Sequence, residues 1–267
     1  MSWTPAASLR ASTVPASSAA MGGSGQAGRE APDIETSSEA YAQRFAGKTG
    51  AWFLKVQEQA VLRMMASRRP KATVLDVGGG HGQVTAALVD AGYAVTVFGS
   101  ASACARRIQP FIARGQCRFM TGDLLHLPYP DCAFDVVVSL RLVAHVQRWP
   151  GLIAELARVA RQAVILDYPP RRSLNVLVPM LFPMKQWLEG NTRTYHTFAD
   201  GDLITAFAAH GLRPYARAPE FFWPMVLHRL LKTQPLSAAL EQFARGLGLT
   251  RWFGSPIVAS FVREPRE

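Results

Sequence analysis

A buried strand running straight into closely spaced glycines constrains the fold more than any other stretch of this 267-residue chain. Thr73 to Val77 (Thr-Val-Leu-Asp-Val) is rich in β-branched residues and apolar at consecutive positions, as a strand covered on both faces is. Gly78, Gly80 and Gly82 follow at alternate positions, with Gly79 between the first two. Such a turn lets backbone approach a ligand closely and take positive φ without steric cost. A helix predicted from about Gln83 to Ala91 points its free N–H groups and positive dipole end into the same crevice. Together these make a site for a nucleotide-like ligand at the carboxyl end of the first strand of an α/β sheet.

Spacing restricts which nucleotide. A G-x-G-x-x-G dinucleotide fingerprint begun at Gly78 needs glycine where Gln83 stands, and begun at Gly80 needs it where Thr85 stands. The pattern is instead acid-x-G-x-G-x-G, from Asp76 to Gly82. A carboxylate just before the glycines repels a pyrophosphate and suits an ammonium group, which favours a ligand bearing an amino acid over NAD. Further elements follow in α/β order. Ala94 to Phe98 is a second predicted strand, Ala101 to Arg114 a helix, Gln116 to Met120 a third strand and Phe134 to Leu140 a fourth. A helix over Leu152 to Val159 then leads to a fifth strand at Ala163 to Asp167.

Taken in order, the glycine motif, Gly122-Asp123, Leu127-Pro128, Phe134-Asp135-Val136, His145 and Arg158-Val159 resemble a class I S-adenosylmethionine-dependent methyltransferase of the ubiquinone/menaquinone-biosynthesis type. The resemblance covers roughly residues 70–170. It implies a Rossmann-like, doubly wound α/β fold: a seven-stranded sheet, mostly parallel with an antiparallel last strand, carrying helical lid insertions. It also implies S-adenosyl-L-methionine as cofactor. By that resemblance Asp76 would hold the cofactor's amino end, and Gly78, Gly79, Gly80 and Gly82 would line its methionine and ribose portion. Asp123 would accept from the adenine amino group with the Leu124 backbone beside it, and Leu140 would face the methyl-donor region. The other reading of Asp123 is a turn-capping acid after Gly122.

The sequence departs from the family in two places. The second strand of the family usually ends in an acid that binds both ribose hydroxyls, and here that place falls at Gly99. Losing two charge-assisted hydrogen bonds predicts weaker cofactor binding, with Ser100 or Ser102 as neutral substitutes. The Pro-Gly-Gly turn before the fifth strand is also missing, which predicts a short connection. Asp167-Tyr168-Pro169-Pro170 resembles the Asp-Pro-Pro-Tyr tetrapeptide of adenine and amide N-methyltransferases, but it follows the fifth strand instead of the fourth and in another residue order.

The remainder of the chain divides by composition. Residues 1–36, rich in Ala, Ser, Gly and Pro without apolar period, are expected to be a disordered tail, leaving a methyltransferase domain over 37–267. Its cofactor-binding half spans 70–170 and its acceptor and lid half 171–267. Ser38 to Ser67 carries apolar residues at helical spacing and reads as one or two amphipathic helices beside the crevice. Beyond the fifth strand, Leu212 to Ala218 and Ser255 to Val262 read as the last two strands, with helices at Ala199 to His210, Met225 to Lys232 and Leu236 to Leu247. Residues 171–198 and 220–250 are expected to form a lid over an apolar acceptor pocket. The alternative is that their aromatics fill a core.

A net charge of +10 admits an anionic membrane surface as a peripheral partner. The basic residues come as separated pairs such as Arg68-Arg69, Arg106-Arg107 and Arg171-Arg172, a pattern that argues against a nucleic-acid stripe. Three cysteines without C-x-x-C spacing fit a reducing, cytoplasmic setting and no metal site. Methyl transfer from a sulfonium needs alignment more than a base, so no catalytic residue is assigned; His145, His196 and Tyr195 are the candidates by position. The expected acceptor is a small or lipid-like molecule. An RNA or protein methyltransferase and a non-catalytic cofactor-binding or assembly protein are the competing readings.

Overall fold

The computed structural model describes residues 29–174, 195–231 and 233–264. Its centre is one sheet of seven strands: β1 (Thr73–Val77), β2 (Ala94–Gly99), β3 (Cys117–Thr121), β4 (Phe134–Ser139), β5 (Ala160–Tyr168), β6 (Leu212–Phe221) and β7 (Ser255–Arg263). They lie in the order β3-β2-β1-β4-β5-β7-β6. β1 pairs in parallel with β2 and β4, while β7 runs antiparallel to both of its neighbours. This is the expected seven-stranded arrangement with an antiparallel last strand. The order reverses between β1 and β4, so their carboxyl ends diverge and leave a crevice there.

Consecutive strand residues feed two different cores, which is why the strands are apolar throughout. Leu75, Val77 and Val137 face a layer built on α6 (Trp149–Val159) and α7 (Asp200–Ala208). Val74, Val95, Val97, Val136 and Val138 face the layer of α3 (Gly47–Met65) and α4 (Gln83–Asp90). The α6 helix begins with proline at its first turn, where no N–H is needed, and buries Leu152, Ile153, Leu156 and Val159 on one stripe. Ala160 then turns to extended backbone and opens β5 directly, the short connection expected from the missing Pro-Gly-Gly.

Two expectations need correction. The helix predicted over Ala101 to Arg114 is a 3-10 segment, Ser102–Ile108, followed by a single α-helical stretch, α5 (Gln109–Ala113). Pro110 explains the break: it has no N–H to donate, so it opens a new helix instead of continuing an old one. Order also begins before residue 37. Asp33–Thr36 forms the helical turn α1, with Asp33 and Thr36 buried, and α2 (Glu39–Gln43) follows it. Apolar period is the wrong detector here, because this segment docks through polar side chains. The rest of the predicted tail, 1–28, lies outside the described residues, as do 175–194 of the predicted lid.

The insertion between β6 and β7 is helical: α8 (Met225–Leu231), α9 (Gln234–Gly246) and α10 (Leu249–Phe253). Since β6 ends at the carboxyl edge, the insertion caps that edge. Phe221 meets Trp52 and Phe53 of α3 edge to face, with centroids at 5.1 and 5.0 Å, so part of the aromatic content does fill a core beneath the cap. Buried Glu241 accepts the Phe222 and Trp223 N–H groups, both at 3.0 Å, and meets the buried His228 at 3.0 Å, tying the three cap segments together.

At the opposite edge, Asp135 joins β1 to β4. Its carboxylate accepts from Thr73 N at 2.9 Å and Thr73 Oγ1 at 3.0 Å, while Asp135 N donates back to Thr73 Oγ1. Burial alone would raise its carboxyl, but the Thr73 hydrogen bonds and the Arg69 charge outweigh it and hold it below the usual carboxylate range. That contribution is present above the unfolded value and lost as pH falls through the folded one. Thr73→Val is therefore expected to cost about 1–2 kcal/mol at neutral pH in urea unfolding, with a smaller difference below about pH 4.

Candidate active site

The loop after β1 is shaped by its carboxylate. Asp76 is buried and accepts a hydrogen bond from the buried Thr85 Oγ1 at 2.8 Å. The loop wraps this group so closely that a Cβ at Gly79 would stand 2.1 Å from Asp76 Oδ2. Gly78, at φ 76°, takes the left-handed conformation that turns the chain off the strand. Burial pushes the Asp76 carboxyl up to about 6, against the opposing hydrogen bond from Thr85 and the charge of Arg141. A cation reaching a buried acid of this kind favours its ionised form.

Asp76, Gly78, Gly79, Gly82 and Leu140 line one cleft, joined by Thr36, Gln83 and Arg141. Gly80 sits behind it, packed so tightly that a Cβ would meet Ser37 Oγ at 2.2 Å and Cys104 O at 2.4 Å. The cleft encloses about 20 Å³, room for about one water. His81 is buried beside it between Tyr41 and Phe45, with centroids at 6.0 and 5.8 Å. Burial, Arg141 and Arg107 lower its imidazole to about 3, so it stays neutral.

Asp123 and Leu124 are not part of this cleft. Asp123 caps its own turn, accepting from Leu125 N at 2.9 Å and lying 3.2 Å from His126 Nδ1. Burial opposes its ionisation, but these hydrogen bonds and the charges of His126 and Arg29 hold it below the usual range. The Leu124 side chain is buried in the core. Between them and the glycine loop runs a strap, residues 29–37. Its Arg29 donates to Ser100 O at 2.7 Å and to Gly122 O, bridging the ends of β2 and β3.

The same strap returns a carboxylate to the strand end that lacks one. Asp33, fully buried, accepts from Ser100 N at 2.7 Å and Ser100 Oγ at 2.5 Å, with Cys104 Sγ at 3.3 Å. Its Oδ2 stands 3.3 Å from where a Cβ at Gly99 would be. Ser100 is thus engaged with protein, and Ser102 falls in the 3-10 segment. No sequence signal pointed to Asp33, one of three acids (with Glu30 and Glu35) at the end of a stretch of tail composition.

A polar chain leads from the cleft to a second space. Arg141, at φ 57°, donates from its backbone to Asp167 at 2.5 Å and from its guanidinium to Gln57 at 2.5 Å and to Gln83. Gln57 donates in turn to Asp167 Oδ2 at 2.9 Å. Glu220 lies next along β6, 3% exposed, with Oε1 lacking a hydrogen-bond partner among the described residues. Burial and the neighbouring Asp167 raise its carboxyl well above the usual range. Glu220 borders an open cavity of about 1110 Å³ at the carboxyl ends of β5 and β6, walled by Val56, Ala60, Pro170, Phe198, Pro219 and Trp252.

The candidate bases gather elsewhere. His145 and Tyr195 meet at 5.6 Å between ring centroids, and His196 donates its backbone N–H to Ala144 O at 2.8 Å. None of the three borders either space. Among the described residues no helix is long and apolar enough to cross a membrane.

Comparison with known proteins agrees with this geometry. Residues 75–166 match the family model described as a methyltransferase domain. Ajmaline N-methyltransferase of Rauvolfia serpentina is 48% identical over 42 residues, which is 16% of this chain and 14% of that protein. An uncharacterized methyltransferase of Mycobacterium avium (strain 104) is 34% identical over 98 residues, 36% of this chain and 39% of that one. The chain therefore aligns with well under half the length of these curated relatives. Magnesium protoporphyrin IX methyltransferase from Synechocystis PCC 6803, solved with SAH, shares the fold at TM-score 0.59 and 18% identity, covering 86% of this chain and 96% of that one. A 1,6-didemethyltoxoflavin-N1-methyltransferase from Burkholderia thailandensis does so at TM-score 0.52 and 16% identity, covering 78% and 77%.

Proposed function

We infer, from a chain that carries a class I S-adenosylmethionine-dependent methyltransferase domain over residues 75–166, that it transfers a methyl group to a small molecule with an apolar body. The observation that carries this reading is the pairing of the Asp76 glycine loop with a large apolar-walled cavity at the same edge of the sheet. Three of the proteins it resembles are named for small molecules: magnesium protoporphyrin IX, 1,6-didemethyltoxoflavin and ajmaline.

The donor set fits the cofactor's chemistry. Asp76 would accept from its ammonium group, and the close-packed Gly78–Gly79 turn gives backbone access that any side chain would block. Asp123 and the Leu124 backbone would meet the adenine once Arg29 withdraws. S-adenosylmethionine supplies an activated methyl on sulfur, so the protein's task is alignment and exclusion of water. Leu140 and the neutral His81 keep the loop side of the cleft from opposing a sulfonium with charge. Arg141, tied by Gln57, Gln83 and Asp167, has to be held aside from it.

Calorimetric titration of the full chain tests the reading. S-adenosylmethionine and its demethylated product are expected to bind one site each, and NAD to give no heat. The narrow cleft favours one other reading, a protein of this fold that no longer binds cofactor. Silence from both sulfur ligands would replace the enzyme reading with that one.

A further inference from the structure

Six arginines surround the large cavity: Arg63 on α3, Arg171 and Arg172 after β5, Arg217 on β6, Arg245 on α9 and Arg251 on α10. They arrive from five separate parts of the chain, so no basic tract is visible in sequence. Three are already engaged. Arg171 pairs with Asp202 at 3.2 Å, Arg217 with Asp200 at 3.2 Å, and Arg245 donates to Glu220 O at 2.5 Å. Arg63, Arg172 and Arg251 make no side-chain hydrogen bond or ion pair among the described residues. Among the described lining residues the acids are Asp200, spent on Arg217, and Glu220.

We propose that this cavity takes an amphiphilic acid, an acceptor whose apolar body lies on the Val56, Phe198 and Trp252 walls and whose carboxylate, phosphate or sulfonate is gripped by Arg63, Arg172 and Arg251. Guanidinium groups match planar or tetrahedral oxyanions with paired donors, and three that lack a side-chain partner among the described residues line this one cavity. Glu220 suits the same ligand. A buried carboxyl kept in its neutral form donates a hydrogen bond to an oxyanion instead of repelling it, and its unpartnered oxygen is the type of group a polar ligand satisfies. The inference rests on the methyltransferase reading for the word acceptor, but the site itself does not.

The test uses two dyes of nearly the same body, anilinonaphthalene sulfonate and the uncharged N-phenylnaphthylamine, titrated by fluorescence into the full chain without any sulfur ligand. The sulfonate is expected to bind at least about tenfold more tightly than the neutral dye. Combining Arg63→Gln, Arg172→Gln and Arg251→Gln, all surface changes that leave the core intact, should weaken the sulfonate roughly tenfold and leave the neutral dye unmoved. The distant pair Arg106→Gln and Arg118→Gln should change neither. Equal affinity for the two dyes, an unaffected triple variant or an equal loss in the distant pair would each overturn the proposal. Displacement by dodecanoate points to a free acid, and displacement only by phosphatidylglycerol vesicles points to a lipid; either supports the site. Displacement by single-stranded RNA alone would give the basic rim to nucleic acid and overturn it. Because no cofactor is present, a failed dye titration leaves the methyltransferase reading standing, and failed cofactor binding leaves the anion site standing.

Discussion

Asp76→Asn is expected to lower affinity for S-adenosylmethionine about a hundredfold while leaving the protein as stable as before, or more so. The binding loss follows from removing the only charge in the loop that can accept an ammonium, in a buried position where water cannot replace it. Stability moves the other way because of linkage. The folded carboxyl titrates at about 6, above the ordinary aspartate value of 3.8, so the folded state holds a proton that the unfolded chain has already released. That stabilisation is complete below the unfolded value and is lost as pH rises through the folded one. An uncharged amide keeps the Thr85 contact and escapes the loss, a gain of at most about 2–3 kcal/mol near about pH 8. Wild-type affinity should correspondingly tighten as pH rises from about 5 to about 7. Calorimetry across that range, with thermal unfolding of both proteins, checks both halves. A variant that binds normally would remove Asp76 from the cofactor site.

Asp33→Ala should untie the strap. It leaves Ser100 N and Ser100 Oγ without their acceptor in a buried place, an expected cost of about 2–3 kcal/mol. Asp33→Asn keeps one acceptor and should recover about half. A purely structural role would stop there, and the cleft geometry demands more. With only about 20 Å³ beside the glycine loop, Thr36 and its neighbours must yield before a nucleoside can enter. Loosening them raises the fraction of open protein, so cofactor association should quicken by roughly tenfold in stopped-flow mixing. Hydrogen exchange over residues 33–45 should rise in parallel. Association that is unchanged or slower would show that the strap does not stand in the way.

The parts read correctly from sequence share a property: each is carried by neighbours in the chain. β1 with its glycine turn, the strand series through β5 and the abrupt α6–β5 joint all follow from local pattern, burial period and Pro or Gly chemistry. Local reading failed where a local rule was overridden. Pro110 split a helix that apolar spacing had joined. Asp33 looked like tail because its docking partners, Ser100 and Cys104, are 67 and 71 residues away. The adenine role that resemblance gives Asp123 stands as a proposal, and in this structure its hydrogen bonds are those of a turn cap.

The sequence alone was enough for the sheet and the glycine turn at its carboxyl edge, because strand burial and glycine backbone freedom are properties of contiguous residues. Only the tertiary structure decided how far that edge is closed and what charge stands around it. Arg171 and Arg172 stand as one adjacent basic pair, with Arg63 and Arg251 far from them along the chain. The fold brings α3, the segment after β5 and α10 to the lining of a single cavity. Coulomb interaction depends on separation in space, and a linear spacing of 188 residues between Arg63 and Arg251 carries no trace of it.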